Sequence, residues 1–254
     1  MPVLRLDSVS KRFGGLEALR DVSFALHEGQ IMALIGPNGA GKTTLFNCVA
    51  GADRPSSGHV FFRSEDMTGR PAHAMCRAGL ARTFQHSRLF DDLTVLENVV
   101  VGRHCRTHAG LTAAFLRSPR HGREERESQE QAMHALTRVG LAARAQDEAG
   151  SLPLGERHLL EIARALATEP VLLLLDEPAA GLNDEETEGL ARCVRRIRDD
   201  GITVLLVEHD MTFVMDISDQ VVVLDYGSKI ADGPPLMIQA DPEVIRAYLG
   251  EDLE

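Results

Sequence analysis

The clearest chemistry in the sequence lies in the stretch from Gly36 to Thr44. It fits the phosphate-binding loop pattern, in which two glycines bracket four residues and Lys-Thr follows. The glycines let successive backbone N–H groups point inward around an anion. Lys42 can reach the β- and γ-phosphates of a nucleoside triphosphate, and the Thr43 hydroxyl can ligate Mg²⁺. The predicted nucleotide contacts are Gly36, Pro37, Asn38, Gly39, Ala40, Gly41, Lys42, Thr43 and Thr44.

Two acidic residues, Asp176 and Glu177, end the apolar run Val171–Leu175. A charge at the end of a buried strand is costly without a partner, and the partner we predict is Mg²⁺. Thr43 and Asp176 can share the metal, with Gln85 as a third oxygen ligand. Glu177 is then placed to polarise the water that attacks the γ-phosphate.

Three more residues are candidates for the same site. Gln85 follows a predicted strand at Gly79–Phe84, and His209 follows one at Thr203–Val207, where it can hydrogen-bond the γ-phosphate. Phe13 precedes the strand of the phosphate loop, so its ring can stack on a base. Two of them also have a simpler interpretation: His209 as a loop residue, and Phe13 as a core or turn ring.

The elements that position these residues can be read from the apolar pattern. Ile31–Ile35 is apolar on both faces, which predicts a strand at the centre of a sheet. Alternating strands and helices from Val171 onward predict a parallel sheet covered by helices. Residues 94–150 lack strand signals and predict a helical insertion. Within it we expect helices at Thr94–Val101 and Glu124–Val139, with a basic loop at 117–123 between them.

Composition limits the possible functions. The chain has 254 residues and a formal net charge of −11, which argues against a general nucleic-acid-binding protein. Its four cysteines are far apart, as expected for reduced thiols. We expect no signal segment at the N-terminus and no membrane-spanning run. Any function at a membrane would therefore require a partner protein.

Taken together, these motifs resemble those of the ATP-binding subunits of ABC transporters, and the resemblance covers nearly the whole chain. It implies that Phe13 is the adenine-stacking aromatic, Gln85 the Q-loop glutamine and His209 the switch histidine. It also implies that Asp176 is the metal-binding aspartate and Glu177 the catalytic glutamate. The cofactors implied are ATP and Mg²⁺.

The resemblance implies an α/β fold. Its parts would be a P-loop ATPase core with a mostly parallel sheet, an N-terminal antiparallel β part and a helical subdomain. Residues 1–254 would form one ATPase domain. The helical subdomain would span about 94–150, extending to about 168, and a C-terminal helix and tail would span about 240–254.

More narrowly, the chain resembles the LivG-type cassettes of branched-chain amino acid importers. The stretches that carry this resemblance are Phe84–Phe90, Asp176–Asn183, Glu208–Met211 and Val244–Gly250. Cassettes for urea, amides or other amino acids share them. A lipid-exporting cassette and a soluble ABC ATPase acting on DNA or the ribosome remain alternatives, although the single P-loop and the absence of sustained heptads disfavour the latter.

One segment departs from the family pattern. The family signature reads Leu-Ser-Gly-Gly-Gln and contacts the γ-phosphate bound to the opposite subunit, whereas here Leu152–Glu156 reads Leu-Pro-Leu-Gly-Glu. Pro153 has neither a hydroxyl nor an N–H group. Gly155 therefore remains as the predicted contact in trans, and we expect weaker closure or a partner cassette with a complete signature.

The resemblance also implies partners. These are a second cassette, as a homo- or heterodimer, transmembrane permease subunits and, indirectly, a periplasmic binding protein; no nucleic acid is expected. The chain would be peripheral, on the cytoplasmic face of the inner (plasma) membrane. Phe90, Leu93, Val95 and Leu96 are a candidate docking surface for the permease, although their spacing is equally that of core residues.

Overall fold

The structure is a computed structural model that describes residues 1–83, 89–105 and 119–249. The described residues form two β-sheets and the helices that cover them. The strands are β1 Pro2–Phe13, β2 Leu16–His27, β3 Ile31–Ile35, β4 Ser57–Phe62, β5 Glu65–Asp66, β6 Leu80–Arg82, β7 Leu172–Asp176, β8 Thr203–Val207, β9 Gln220–Asp225 and β10 Ser228–Gly233. The helices are α1 Lys42–Ala50, α2 Ala72–Ala78, α3 Val95–Gly102, α4 Pro119–Val139, α5 Leu154–Leu166, α6 Asp184–Asp199, α7 Met211–Ile217, α8 Pro235–Gln239 and α9 Pro242–Leu249.

The larger sheet has the strand order β10-β9-β3-β8-β7-β6. Its strands are parallel except β10, which pairs with β9 in an antiparallel hairpin. Every residue of β3, β7 and β8 is buried. Ile31 and Ala33 face one hydrophobic core, and Met32 and Leu34 face the other. The predicted parallel sheet, with Ile31–Ile35 inside it, is confirmed.

The smaller sheet is antiparallel, with the order β2-β1-β4-β5. Its inward residues share one core with Phe46 of α1. Alternation of apolar and polar residues predicts strands at Val3–Leu6 and Leu19–Leu26. Strands β1 and β2 are longer than these stretches, and their pairing contains several register shifts. Ser8 and Asp21 have left-handed φ angles of 50° and 49° at these irregularities. A bulge inserts an extra residue and so interrupts the alternation of inward and outward side chains, which is the signal that predicts a strand.

Helices α3, α4 and α5 lie between β6 and β7 along the chain. Val99, Leu136 and Leu160 bury their side chains together in one core. The described residues of 89–105 and 119–151 form no strand, only one isolated bridge. The basic loop predicted to end at residue 123 is wrong from Pro119 onward, where α4 begins. Proline is tolerated in the first turn of a helix, because the N–H groups there lack intrahelical partners.

Because β3, β6, β7, β8 and β9 are parallel, their carboxyl ends share one edge of the sheet, which we call the carboxyl edge. The phosphate loop follows β3, Asp176 ends β7, and Glu208 and His209 follow β8. Ligands of open α/β sheets bind at this edge. No described helix combines the length and the apolar character needed to cross a membrane. How the chain divides into subdomains and a C-terminal tail remains a prediction.

Candidate functional site

The phosphate loop needs glycine at defined positions. Gly36 and Gly41 have φ angles of 146° and 99°. A Cβ atom at Gly36 would lie 2.1 Å from the carbonyl oxygen of Leu224, and one at Gly41 would lie 2.7 Å from that of Ala18. Both backbone conformation and space therefore exclude a side chain. The packing of neighbouring strands fixes the curl that the sequence pattern predicts.

Lys42 is the first residue of α1 and bends back over the loop. Its ammonium group donates to the carbonyl oxygens of Gly36 at 2.5 Å and Pro37 at 2.8 Å. The first turn of α1, which the structure describes completely, carries no acidic side chain. The positive end of the helix and the lysine charge therefore act together on an anion at the loop. Thr43 is exposed beside them.

The Asp176 carboxylate lies at the end of β7 and is paired with Arg82 of the neighbouring strand. Arg82 Nη2 donates to Asp176 Oδ2 at 2.8 Å, and Nη1 donates to Asn47 Oδ1 of α1 at 2.7 Å. The side chains of Arg82 and Asp176 are 15% and 5% exposed. The buried carboxylate thus has a cationic partner within the chain, in addition to the metal predicted from the sequence.

Glu177 follows Asp176 with a left-handed φ of 48°, uncommon for a residue with a side chain. Its backbone N–H donates to the Val207 carbonyl oxygen at 2.9 Å, so the strained residue is held against the end of β8. Such strain persists only where the surrounding structure imposes it, and it is concentrated at functional sites. The chain bends at Glu177 directly after β7, and the residue is half-buried.

The peptide group between Pro178 and Ala179 is held from two sides. His158 of α5 donates from Nδ1 to the Pro178 carbonyl oxygen at 2.6 Å. Glu208, next to β8, accepts the N–H of Ala179 at Oε1, 2.7 Å away. These contacts join α5 and the end of β8 to the loop that carries Glu177.

Glu208 is 1% exposed and connects this loop to His209. Its Oε2 accepts the backbone N–H of His209 at 3.0 Å. Burial raises the pKa of Glu208 above its usual value, although hydrogen bonds from the backbone of Ala179 and His209 oppose the rise. The His209 side chain itself is 65% exposed at the carboxyl edge, where a ligand can reach it.

Phe13, the predicted base-stacking residue, ends β1 and is 47% exposed. The Lys11 ammonium group lies 4.7 Å from the centre of its ring. Lys11 also donates to the Arg54 carbonyl oxygen at 2.8 Å, which fixes the lysine beside the ring. The structure thus keeps an exposed aromatic ring available for stacking.

The predicted signature segment begins α5 and lies against the start of α6. Pro153 is the N-cap residue of α5 and offers no side-chain hydrogen bond there, and Leu154 is 44% exposed. A Cβ at Gly155 would lie 2.8 Å from Oε1 of Glu186. Glu186 caps α6 together with Asn183, the last residue of the loop Ala180–Asn183. The structure therefore brings the signature segment next to this loop.

Gln85 lies outside the described residues. Thr83 is described, and its backbone N–H donates to the Leu174 carbonyl oxygen at 2.9 Å, which extends the pairing of β6 with β7. The metal and water-binding roles of Gln85 remain predictions.

The donor groups fit Mg²⁺ that arrives with a nucleotide. Among the residues that the structure describes, no cluster of three His, Cys, Asp or Glu side chains could hold a metal ion. Mg²⁺ is usually bound by one or two protein oxygens, together with phosphate oxygens and water. The Asp176 carboxylate and the Thr43 hydroxyl are such donors, and the contact of Arg82 with Asn47 brings α1 next to Asp176.

A glycine-constrained phosphate loop with its lysine, facing an acidic strand end, defines a P-loop nucleotide-binding protein. The family described as ABC transporter matches residues 19–180, and the family described as branched-chain amino acid ATP-binding cassette transporter matches residues 228–254. The chain belongs to the ABC transporter family, as an ATP-binding cassette.

Curated relatives match the chain over almost its full length. It is 45% identical to the high-affinity branched-chain amino acid transport ATP-binding protein BraF of Pseudomonas aeruginosa, over 98% of both chains. The identity is also 45%, with the same coverage, to the protein LivG of Salmonella typhimurium. Among solved structures, the ADP conformation of the cassette MJ1267 has a TM-score of 0.87 and 32% identity, covering 98% of this chain and 99% of that one. The expected fold class is confirmed.

Sequence reasoning missed Arg82 and His158, which contact the two ends of the acidic loop. Arg82 is a charged residue at the end of a short, otherwise apolar strand. Because a buried charge needs a partner, its position in the sequence indicates an ion pair. No comparable signal marks His158, because its partner is a backbone carbonyl oxygen 20 residues away in the chain.

Proposed function

We propose that the chain hydrolyses ATP to energise the uptake of branched-chain amino acids through partner transmembrane subunits. The full-length similarity to BraF and LivG supports branched-chain amino acids as the substrate class, because those relatives are branched-chain amino acid transport ATP-binding proteins. The arrangement of the carboxyl edge supports hydrolysis. A phosphate loop, a metal carboxylate and a water-directing carboxylate are the parts that this reaction needs.

Each part of the edge has a proposed role. Lys42 and the N–H groups of the loop hold the phosphates, and Phe13 stacks on the base. Asp176 and Thr43 would hold Mg²⁺, with Gln85 as a further ligand; bound there, the ion would neutralise charge on the phosphate oxygens.

The attack on the γ-phosphate needs residues that orient water and the phosphate itself. Glu177 accepts a hydrogen bond from the attacking water and directs it at phosphorus. His209 donates a hydrogen bond to the γ-phosphate. In this proposal, the left-handed backbone and the held Pro178–Ala179 peptide keep the Glu177 carboxylate in place.

A groove beside the site offers a docking surface for a transmembrane partner. It encloses about 410 Å³, and Arg82, Cys76 and Ala165 are among its lining residues. Phe90 and Val101 at the groove are 49% and 42% exposed. Of the four docking candidates read from the sequence, Val95 is a core residue with 0% exposure, whereas Phe90 is available. An apolar helix of a permease subunit is the occupant that we propose.

The second cassette completes the nucleotide site. Gly155 at the start of α5 would contact the γ-phosphate bound by that partner. A periplasmic binding protein would deliver the substrate to the permease. In this proposal the chain works at the cytoplasmic face of the inner membrane, where ATP is present.

The test is transport by the complete assembly in sealed vesicles. The chain is purified with its permease and partner cassette, and uptake of labelled leucine is measured with MgATP and the binding protein. We expect ATP-dependent leucine uptake that excess isoleucine and valine inhibit. Uptake of urea or an amide in place of leucine would overturn the substrate class, and unchanged uptake without ATP would overturn the coupling.

A further inference from the structure

The buried ion pair between Arg82 and Asp176 joins two parts of the site that no sequence motif links. The two residues are separated by 94 positions in the chain. They meet because β6 and β7 pair in parallel, with Arg82 opposite Leu174. Arg82 therefore reaches the carboxylate that ends the neighbouring strand.

The guanidinium group of Arg82 is held by more than the carboxylate. Besides its bonds to Asp176 and Asn47, its central carbon lies 5.0 Å from the centre of the Phe46 ring. Asn47 and Phe46 both belong to α1, the helix that begins at the phosphate loop. A planar fork with a fixed geometry suits such a site better than an ammonium group.

The position of this pair has a consequence for metal binding. A positive charge next to a carboxylate stabilises its ionised form and opposes the approach of a second cation. Arg82 donates to one oxygen of Asp176, the residue proposed to hold Mg²⁺. The chain thus carries an internal cation at the place where the metal must act.

We propose that Arg82 is a positioning residue that holds the Asp176 carboxylate and competes with Mg²⁺ for it. Arg82 thereby sets the Mg²⁺ concentration at which the chain binds ATP tightly. This inference rests on the ATPase function proposed above. It adds a residue outside the phosphate loop and the acidic motif that tunes the response of the chain to the metal.

Binding of ATP, rather than hydrolysis, is the direct test. ATP affinity of the full chain is measured by calorimetry in EDTA and over a series of Mg²⁺ concentrations. For Arg82→Met we expect ATP affinity in EDTA within about threefold of the parent. The Mg²⁺ concentration that gives half of the gain in affinity should fall about tenfold, because an adjacent charge changes the cation affinity of a carboxylate by at least that much. Arg82→Lys, which keeps the charge, should stay within about threefold of the parent.

Arg103→Met is the matched control. Arg103 is 6% exposed and pairs with Glu169, and it also donates to the Ala167 carbonyl oxygen at 3.1 Å. Its removal takes a buried arginine from an ion pair away from Asp176, so the Mg²⁺ midpoint should remain that of the parent. A midpoint that falls equally in both Met variants would overturn the inference, since loss of a buried arginine in general would then explain it.

Thermal unfolding in EDTA adds a reading that needs no ligand. Arg82→Met should lower Tm by roughly 6–12 °C, because it leaves a buried carboxylate unpaired. In an Asp176→Asn background, Arg82→Met should lower Tm by less than half as much. An equal fall in Tm in the two backgrounds would show that Arg82 does not act through Asp176.

Arg82→Gln is a second neutral variant if Arg82→Met fails to fold. It keeps one donor for the carboxylate, and a lowered Mg²⁺ midpoint in this variant supports the proposal. A parental midpoint in every neutral variant that folds overturns it. Failure of the parent chain to bind ATP would instead overturn the ATPase proposal, and this inference with it.

Discussion

The phosphate loop and the segment Leu152–Glu156 each lead into a helix, but they differ in how far the chain supplies their contacts. At the loop, Gly36 and Pro37 are buried, and Lys42 already donates to two carbonyl oxygens. In the other segment, Pro153 and Leu154 are exposed, and the helix cap has no side-chain hydrogen bond. The contacts that shape the phosphate loop all come from this chain. The signature segment is exposed instead, as the proposed contact with a second cassette requires.

The acidic loop after β7 lies between these extremes. Asp176 ends β7 and Glu177 follows it, but the contacts that hold this segment come from other elements. Arg82 on β6 holds the Asp176 carboxylate, and His158 on α5 and Glu208 after β8 hold the Pro178–Ala179 peptide group. The catalytic part of the proposed site is therefore a shared product of several elements. Changes in the loop, in these supports and in the signature segment should have effects of decreasing size.

Glu177→Gln should have the largest effect. The amide cannot accept a proton from the attacking water, so kcat should fall by a factor of about 10² to 10⁴. ATP affinity should stay within about threefold, because the phosphate loop is unchanged. Steady-state hydrolysis together with calorimetric ATP binding separates the two quantities. Turnover at the parental rate would refute the role of Glu177.

Gly41→Ala tests the completeness of the phosphate loop. The new Cβ would meet the Ala18 carbonyl oxygen at 2.7 Å in a left-handed conformation, so ATP affinity should fall at least tenfold and stability by about 2 kcal/mol. Gly201→Ala is the control, because φ is +89° there but no atom lies within 4 Å. It should lower the free energy of unfolding by about 1 kcal/mol and leave ATP affinity unchanged. Equal loss of ATP binding in both variants would mean that backbone strain, rather than the fit of the loop, is responsible.

His158→Leu tests a contact that supports the acidic loop. Without a donor, the Pro178 carbonyl oxygen loses its partner and Glu177 loses one of its supports, so kcat should fall about tenfold. KM for ATP should change less than threefold. His158→Gln keeps an N–H donor and should restore kcat to within about threefold of the parent. A Gln variant as slow as the Leu variant would show that the hydrogen bond is not what matters.

Glu208 gives a pH test of the same region. Its pKa is raised by burial in the folded chain, so the folded state binds the proton more tightly than the unfolded state. The associated stability is present below the model-peptide value of 4.5 and is lost as pH rises through the folded pKa. Relative to Glu208→Gln, the parent should therefore lose stability from about pH 4.5 upward. Unfolding of both proteins in urea at several pH values measures this, and parallel pH profiles would contradict it.

Pro153→Ser should have the smallest effect and bears on the signature segment itself. Serine is a preferred N-cap residue and gives α5 the cap bond that Pro153 lacks, which should add about 0.5–1 kcal/mol of stability. In the dimer its hydroxyl adds a donor for the partner's γ-phosphate, so ATPase activity should rise a few-fold. Hydrolysis is measured for the chain alone and with its partner cassette, before and after the substitution. Equal rates throughout would refute the expectation that the Leu152–Glu156 segment weakens closure of the dimer.

Much of the fold follows from local pattern, and the exceptions have physical causes. β8 is found where it was predicted, at Thr203–Val207, because a short, wholly apolar run between turns has few alternatives. The start of α4 was missed because Pro119 belongs to a first turn rather than to a loop. The bulges of β1 and β2 broke the alternation on which strand prediction depends.

The candidate site, like the fold, can be predicted only where its residues are contiguous in the sequence. The phosphate loop is a continuous sequence motif, so its residues could be predicted one by one. The contacts of Asp176 and Pro178 come from distant parts of the chain, and nothing in the sequence specifies that Arg82 and His158 reach them. Pairing of parallel strands and packing of α5 produce those contacts, and only a three-dimensional structure reveals them.

The central claim is that the phosphate loop of one chain works with the signature segment of a second cassette. Sedimentation of the Glu177→Gln chain measures this directly, since slow turnover preserves the ATP-bound state. We predict that MgATP converts the chain, alone or mixed with its partner cassette, from monomer to dimer. Gly155→Glu in the same background should prevent the conversion. A chain that binds MgATP and stays monomeric with and without its partner, or a dimer that Gly155→Glu leaves intact, would contradict the claim.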